Sequence, residues 1–323
     1  MNRRTILTAA VAALPLAATR TVFAQGYPSG PVKVIVPFPP GGPTDVVGRV
    51  IAQRLAAVFQ QPFVVDNRAG ASGMIGADQV AKAAPDGQTL LINVSAHVIN
   101  PHLYPKLPHD PLKDFAPVTS IASTPMQLVV RADLPVKSVK ELIAYVKAKP
   151  GTYTFASSSS GTPSHLAGEL FKLATGLDAI HVPYKGSAPA LTDVIGGQTT
   201  FMFDSMPSSL SLVKAGKLRA LGVTGTQRAK NLPDVPTMVE SGISEMTFTT
   251  WYGLWAPFRT PNATVASIQA EVAKALSSPE VAARLAEVSA DGMGDSPERF
   301  AEFCRTESDR YARIIKAANI RIV

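Results

Sequence analysis

Along this chain, short runs of apolar, β-branched residues alternate with longer stretches in which apolar residues recur every three or four positions. Val32-Lys33-Val34-Ile35-Val36-Pro37-Phe38 predicts a strand ending in a loop rich in proline and glycine. From Asp45 to Phe59, Val46, Val47, Val50, Ile51, Leu55 and Val58 recur at helical spacing. Phe63-Val64-Val65 predicts a second strand, the glycine-rich segment Asn67 to Gly76 leads into a helix through about Ala84, and Thr89 to Val94 predicts a third strand. The rhythm continues with strand Met126 to Val130, helix Val139 to Lys149, strand Thr152 to Ala156 and helix Ser164 to Ala174, stopped by Gly176. Strand His181 to Tyr184, helix Ala188 to Ile195 and strand Thr200 to Phe203 follow. This alternation predicts α/β architecture, with parallel sheets flanked by helices.

Two extended, β-rich segments interrupt the rhythm, Phe115 to Pro125 and Thr247 to Thr250. The stretch between them holds one domain's worth of βα units, and the helical stretch after Pro261 is too small to fold alone. The expected arrangement is two α/β lobes joined by two crossing strands, with a cleft between them. Lobe 1 then takes residues 25–123 and 249–323, and lobe 2 takes 124–248. In such sheets ligands bind beyond the carboxyl ends of the strands, so the strand-to-helix loops are where chemistry is expected.

Composition narrows the classes. The chain has 323 residues, which suggests two domains, and 46% hydrophobic against 17% charged residues excludes a disordered chain. Lysine and arginine number 31 against 24 acids, and the first 24 residues hold three arginines and no acid, which leaves 28 basic against 24 acidic residues beyond them. That surplus is scattered and predicts no nucleic-acid partner. A single cysteine, Cys304, excludes an internal disulfide and any cysteine-built zinc site. Residues 1–24 read as a signal peptide: Arg3 and Arg4 precede an uncharged stretch from Thr5 to Thr19, and Val22 and Ala24 suit cleavage. The stretch is shorter than the ~20 residues of a spanning helix. The mature protein is therefore expected in the periplasm, and nothing in the sequence demands more than a monomer.

Five loops carry candidate chemistry. Phe38-Pro39-Pro40-Gly41-Gly42-Pro43-Thr44-Asp45 opens a helix, whose free N–H groups suit an anion. A tight turn with Thr44 as N-cap and Asp45 favouring the helix dipole explains those two residues equally well. Ser157-Ser158-Ser159-Ser160-Gly161-Thr162-Pro163-Ser164-His165 also joins a strand to a helix, with Thr162 as N-cap and Pro163 in the first turn. His165 either faces a ligand or bonds a neighbouring loop. Lys185 and Gly186 begin the third loop, and Lys185 would lend the cleft positive charge. Asp204 ends an apolar strand, where an acid caps, binds an ammonium group or supports a hinge. Ser95 and Ala96 form either a cleft wall or an ordinary turn. His97, His102 and His109 fall on a proline-rich loop, and the five histidines lack metal-ligand spacing. No cofactor motif is present: there is no G-x-S-x-G elbow and no phosphate-binding GxxxxGK[ST] loop. A secreted serine hydrolase using Ser158 or Ser160 with His165 is the enzymatic alternative, with neither oxyanion hole nor orienting acid assigned.

The loops belong to longer motifs. The chain resembles the Bug-type (TctC-like) extracytoplasmic solute-binding proteins of tripartite tricarboxylate transporters in seven collinear stretches: Val36–Asp45, Asn67–Gly76, Pro85–Leu91, Gly161–Phe171, His181–Ala190, Leu232–Thr237 and Trp251–Pro257. The resemblance implies a type II periplasmic-binding-protein fold that closes on a small organic carboxylate. It implies that the loops Phe38 to Asp45 and Ser157 to His165 grip the carboxylate from opposite lobes, with further contacts from Lys185, Gly186 and Asp204. It also implies delivery to membrane transporter subunits rather than catalysis. A sensor that presents its ligand to a membrane histidine kinase would share all of these features.

Overall fold

The computed structural model describes residues 27–322, and the expected signal peptide lies outside them. The first half of the chain forms strand β1 (Val32–Val36), helix α1 (Pro43–Phe59), β2 (Phe63–Asn67), α2 (Met74–Ala81), β3 (Thr89–Val94), α3 (Ala96–Ile99), β4 (Phe115–Arg131), α4 (Val139–Lys147), β5 (Thr154–Ser157) and α5 (Pro163–Thr175). It continues with β6 (Ile180–Pro183), α6 (Ser187–Ile195), β7 (Phe201–Ser205), α7 (Met206–Lys214), β8 (Leu218–Val223), β9 (Thr249–Pro257), α8 (Asn262–Ser277), α9 (Pro279–Glu287), β10 (Asp291–Gly292) and α10 (Pro297–Ala317).

The first sheet runs β2-β1-β3-β9-β4, with β1 parallel to both β2 and β3. β9 is antiparallel to β3 on one side and to β4 on the other, and β10 pairs with β4. The second sheet places β8 and β7 antiparallel to β4, followed by β5 and β6 in parallel. β4 belongs to both. Phe115 to Pro125 pair with β9, and from Met126 onward the same strand pairs with β7 and β8.

The two predicted crossing strands are thus unequal. One is a single strand of 17 residues running through both sheets. The return is a short extended segment, in which Phe248 N–H donates to Thr224 O beside the second sheet and Thr249 already pairs with Pro125 in the first. Four elements escaped the sequence reading: α3, α7, β8 and the two-residue β10.

β3 shows why the strands form. Five of its six residues are buried, because helices cover both faces of a sheet built from βα units. On one face of the first sheet, Val34, Leu90, Ile92 and Leu254 pack with α1 and α8 through Ile51, Leu55, Ile268 and Val272. A second cluster takes the other face of that sheet and runs without a break into the second lobe. It reaches from Trp251, Trp255 and Phe300 through Phe248 and Tyr311 to Phe155, Phe171 and Phe203. α10 contributes Phe300, Cys304, Tyr311 and Ile315 to it, so the C-terminal helix is core to the joint between lobes. His97 corrects the loop assignment. It lies in α3, 2% exposed, with its ring 4.6 Å from Trp255 and 4.7 Å from Phe115, and burial lowers its pKa to about 3. Among the described residues no helix is long and apolar enough to cross a membrane.

Candidate functional site

Four helix starts from two sheets converge on one cavity. Gly42 caps α1, Thr162 caps α5, Gly186 caps α6 and Ser205 caps α7, and all four residues line the same space. At none of them does a side chain cap the backbone. The first N–H groups of a helix have no intrahelical acceptor, and its N-terminus carries roughly half a positive charge. Uncapped starts pointing into one cleft therefore form a positive site without a cation in it. Its floor is Val94, Met126 and Thr250, where the chain passes between lobes, and Phe38 and Pro39 form a wall. The enclosed volume is small, about 30 Å³.

Each start is held differently. Proline restricts the first loop and Gly41 turns it at φ +76°, a conformation glycine adopts without strain. Gly41 N–H donates to Asp45 Oδ2 (2.9 Å), which also accepts from Arg49 Nε (2.9 Å), while Asn67 Nδ2 donates to Asp45 Oδ1 (3.0 Å) and to Phe38 O (2.9 Å). Burial opposes ionisation of Asp45. The bonds from Arg49, Gly41 and Asn67 outweigh it and hold the carboxyl below its usual range.

The second loop is held without charge. Gly161 N–H donates to His165 Nδ1 (3.2 Å), Thr162 Oγ1 donates to Ser159 O (2.7 Å), and Ser157 Oγ lies 2.6 Å from His181 Nε2. The rings of His165 and His181 stack with centroids 3.9 Å apart. Burial, with Lys172 adding to it, lowers His165 to about 4. Burial, then His165 and Lys172, lowers His181 to about 3. A neutral His165 is what the Gly161 bond requires, since a protonated Nδ1 accepts nothing.

The third and fourth starts share Asp204. Its Oδ1 accepts from Ser187 Oγ (2.7 Å), its Oδ2 accepts from Ser208 Oγ, and burial raises its pKa against those bonds. The starts of α6 and α7 thus already face a carboxyl group of the protein.

Of the sixteen sequence candidates, Phe38, Gly42, Thr44, Ser158, Thr162, Gly186 and Asp204 line this cavity. Thr44 is not the cap, because Pro43 takes the first helical position and moves the cap to Gly42. Pro40 and Gly41 face outward, since the turn that frees Gly42 points them to solvent. Asp45 turns away to organise the loop. Ser95 and Ala96 are buried behind the floor, where Ser95 N–H bonds Trp251 O, and Val94 lines the cleft instead. Ser157, Gly161 and His165 support the loop from beneath. His165 bonds neither Ser158 nor Ser160, so the hydrolase dyad is not assembled. Lys185 lines a neighbouring cavity. Met126 and Thr250 were missed, although Met126 directly follows one segment read as a crossing and Thr250 ends the other. Ser187 and Ser205, each beside a chosen residue at a helix start, were also missed.

The lobes touch at the cleft mouth. Ser72, in a turn whose residues 70 to 73 all have positive φ, bonds Tyr104 Oη (2.8 Å), Ser159 Oγ (2.9 Å) and Ser160 O.

Two lobes sharing a continuous strand, with a cleft between strand-to-helix loops, define the periplasmic-binding class of solute receptors. The chain matches the family model described as "Tripartite tricarboxylate transporter family receptor" over residues 47–320, and it belongs to that family. Protein BugT of Bordetella pertussis is 38% identical over 93% of this chain and 93% of its own length. The solved structure of R. palustris Rpa4515 with adipate is 38% identical, covers 92% of this chain and 100% of that one, and superposes with TM-score 0.90. MatC (Rpa3494) from Rhodopseudomonas palustris, solved with bound malate, is 33% identical over 90% of this chain and 100% of its own, with TM-score 0.85.

Proposed function

We propose that this protein is a periplasmic receptor that captures a small organic carboxylate between its lobes and delivers it to the membrane subunits of a tripartite tricarboxylate-type transporter. The observation that carries the reading is the meeting of two uncapped helix starts, α1 from one lobe and α5 from the other, across one cavity. A carboxylate placed there accepts from both sets of N–H groups, so it binds the closed arrangement better than either lobe alone. Differential affinity of that kind shifts an open–closed equilibrium toward closure, which a membrane partner can read. Each dipole contact is worth about 0.3–1 kcal/mol and each hydrogen bond to a charged group about 1.5–3 kcal/mol, so a handful reach micromolar affinity.

The adipate and malate in two relatives support a carboxylate as the solute class. On this reading residues 1–24 are a leader removed on export. The lobes divide at 123/124 and 248/249, and the protein acts as a binder, not an enzyme. Isothermal calorimetry of the mature protein against a panel of mono-, di- and aromatic carboxylates tests the proposal. Saturable heat with at least one acid is the expected result. The absence of both heat and thermal stabilisation with every acid would end it.

A further inference from the structure

At the cleft mouth the lobes are joined by side-chain hydrogen bonds that gather on one turn. Ala71 (φ +45°) and Ser72 (φ +54°) are consecutive non-glycine residues in the left-handed region, a conformation kept where neighbours enforce it. Asn100 Nδ2 enforces it by donating to Ser72 O (3.1 Å). The turn aims the buried Ser72 hydroxyl at the facing lobe. A serine hydroxyl has one proton to give and two lone pairs to fill. Ser160 O can only accept, so Ser72 donates to it and accepts from Tyr104 Oη (2.8 Å) and Ser159 Oγ (2.9 Å). Its whole bonding capacity is spent on groups of the protein, and two of the three lie across the cleft.

The facing lobe is shaped for the contact. Gly161 (φ +77°) nests against the turn at Asn100 to Tyr104, where an added Cβ would lie 3.2 Å from Asn100 Oδ1 and 3.3 Å from Tyr104 Cε2. Tyr104 Oη also lies 3.2 Å from Ser160 O. The loop that gives Ser159 and Ser160 to this contact gives Ser158 and Thr162 to the cavity. One short segment before α5 therefore faces the cavity on one side and the opposite lobe on the other.

We propose that Ser72 and Tyr104 are positioning residues that latch the lobes together through bonds independent of the solute. The inference rests on the receptor reading above and deepens it by separating affinity from specificity. The latch joins protein to protein, so it forms whether or not the cleft is filled, and the empty receptor already samples the closed arrangement. A ligand that needs the closed form binds in proportion to the fraction closed. The latch thus scales affinity for every acid by one factor, while the cavity ranks the acids.

The test follows the lobes and the solute separately. Single-molecule energy transfer between dyes on Val64→Cys and Val239→Cys, exposed positions one in each lobe, measures the closed fraction of the mature protein. Calorimetry with mono-, di- and aromatic carboxylates measures affinity. Without solute, the wild type is expected to show a closed population, and Ser72→Ala should lower its closed-to-open ratio roughly threefold to tenfold. Ser159→Ala, made in the other lobe, should act in the same direction, and combining it with Ser72→Ala should lose no more than Ser72→Ala alone, because both remove one bond. Tyr104→Phe should lower the ratio by roughly threefold. In each variant all acids should lose affinity by the same factor, within about twofold, with their order kept. A closed fraction that Ser72→Ala and Ser159→Ala both leave unchanged, or losses that differ between acids by more than about threefold, overturns the latch and leaves the receptor standing. If no acid binds the wild type, the receptor reading falls, and the energy-transfer arm still judges the latch by whether the closed population of the empty protein depends on Ser72.

Discussion

The helices of this protein begin in two ways. At α4, α9 and α10, whose starts lie away from the cleft, Ser138, Ser278 and Ser296 each cap the first turn by accepting a backbone N–H through the side-chain hydroxyl. At α1, α5, α6 and α7, around the cleft, no side chain does so. Glycine, or a hydroxyl engaged elsewhere, stands at those positions, and the conformation comes from neighbours instead: Asp45 and Asn67 for α1, His165 for α5, Asp204 for α6 and α7. A local cap stabilises a helix and also consumes the groups that would bind an anion. Moving the support one layer back keeps the turn rigid and its N–H groups open.

Removing that second layer should have the largest effect. Asp45→Ala strips a buried, paired carboxylate, leaves the Gly41 N–H without its acceptor and takes one of the two acceptors of the Asn67 amide. It should cost roughly 1–3 kcal/mol in urea denaturation and abolish solute binding by calorimetry. Because Asp45 titrates lower folded than unfolded, its contribution is complete above the ordinary carboxylate pKa and disappears as pH falls through the lowered value.

Acid should loosen the α5 side next. The folded histidines titrate near 4 and near 3, below their unfolded value, so the unfolded chain binds the extra protons first. Stability should decline as pH drops below about 6.5, by up to roughly 1.4 kcal/mol per pH unit for each histidine. Denaturation midpoints measured from pH 7 to pH 5 check this. His165→Gln, which keeps an acceptor, should flatten the slope.

Gly186→Ala strains a residue at φ +120° and drives a methyl into Pro39. It should weaken solute affinity by about tenfold while shifting the melting temperature by only a few degrees, because the clash lies between lobes. Ser138→Ala supplies the contrast at the periphery. Loss of that cap should cost about 1 kcal/mol of stability and leave affinity unchanged, as paired melting and calorimetry will show.

Much of the architecture was legible in the pattern of apolar residues. Thr89 to Val94 was read with the observed bounds of β3, and α1 and α5 were placed within a residue or two. β4 was read as two pieces, Phe115 to Pro125 and Met126 to Val130, and it contains two prolines, Pro117 and Pro125. They are tolerated because β4 has irregular register near Pro117 and changes partners after Pro125. β8 has the composition of a helix, Leu-Arg-Ala-Leu, and becomes a strand by pairing with β4. At the cleft the sequence located the turns but not the direction each residue faces. His165 and Gly161 are both in the chosen loop, and only the fold shows that one supports the other from beneath.

The insertion of β9 between β3 and β4 imposes an order of assembly. Thr249–Pro257 is synthesised long after both of its neighbours, so a nascent chain carries two strand edges with unpaired backbone until the late segment arrives. The strands that pair beyond Pro125 are contiguous in sequence and can zip together earlier. Trimming the chain ahead of Thr249 would therefore unseam the centre of the first sheet rather than shorten its margin.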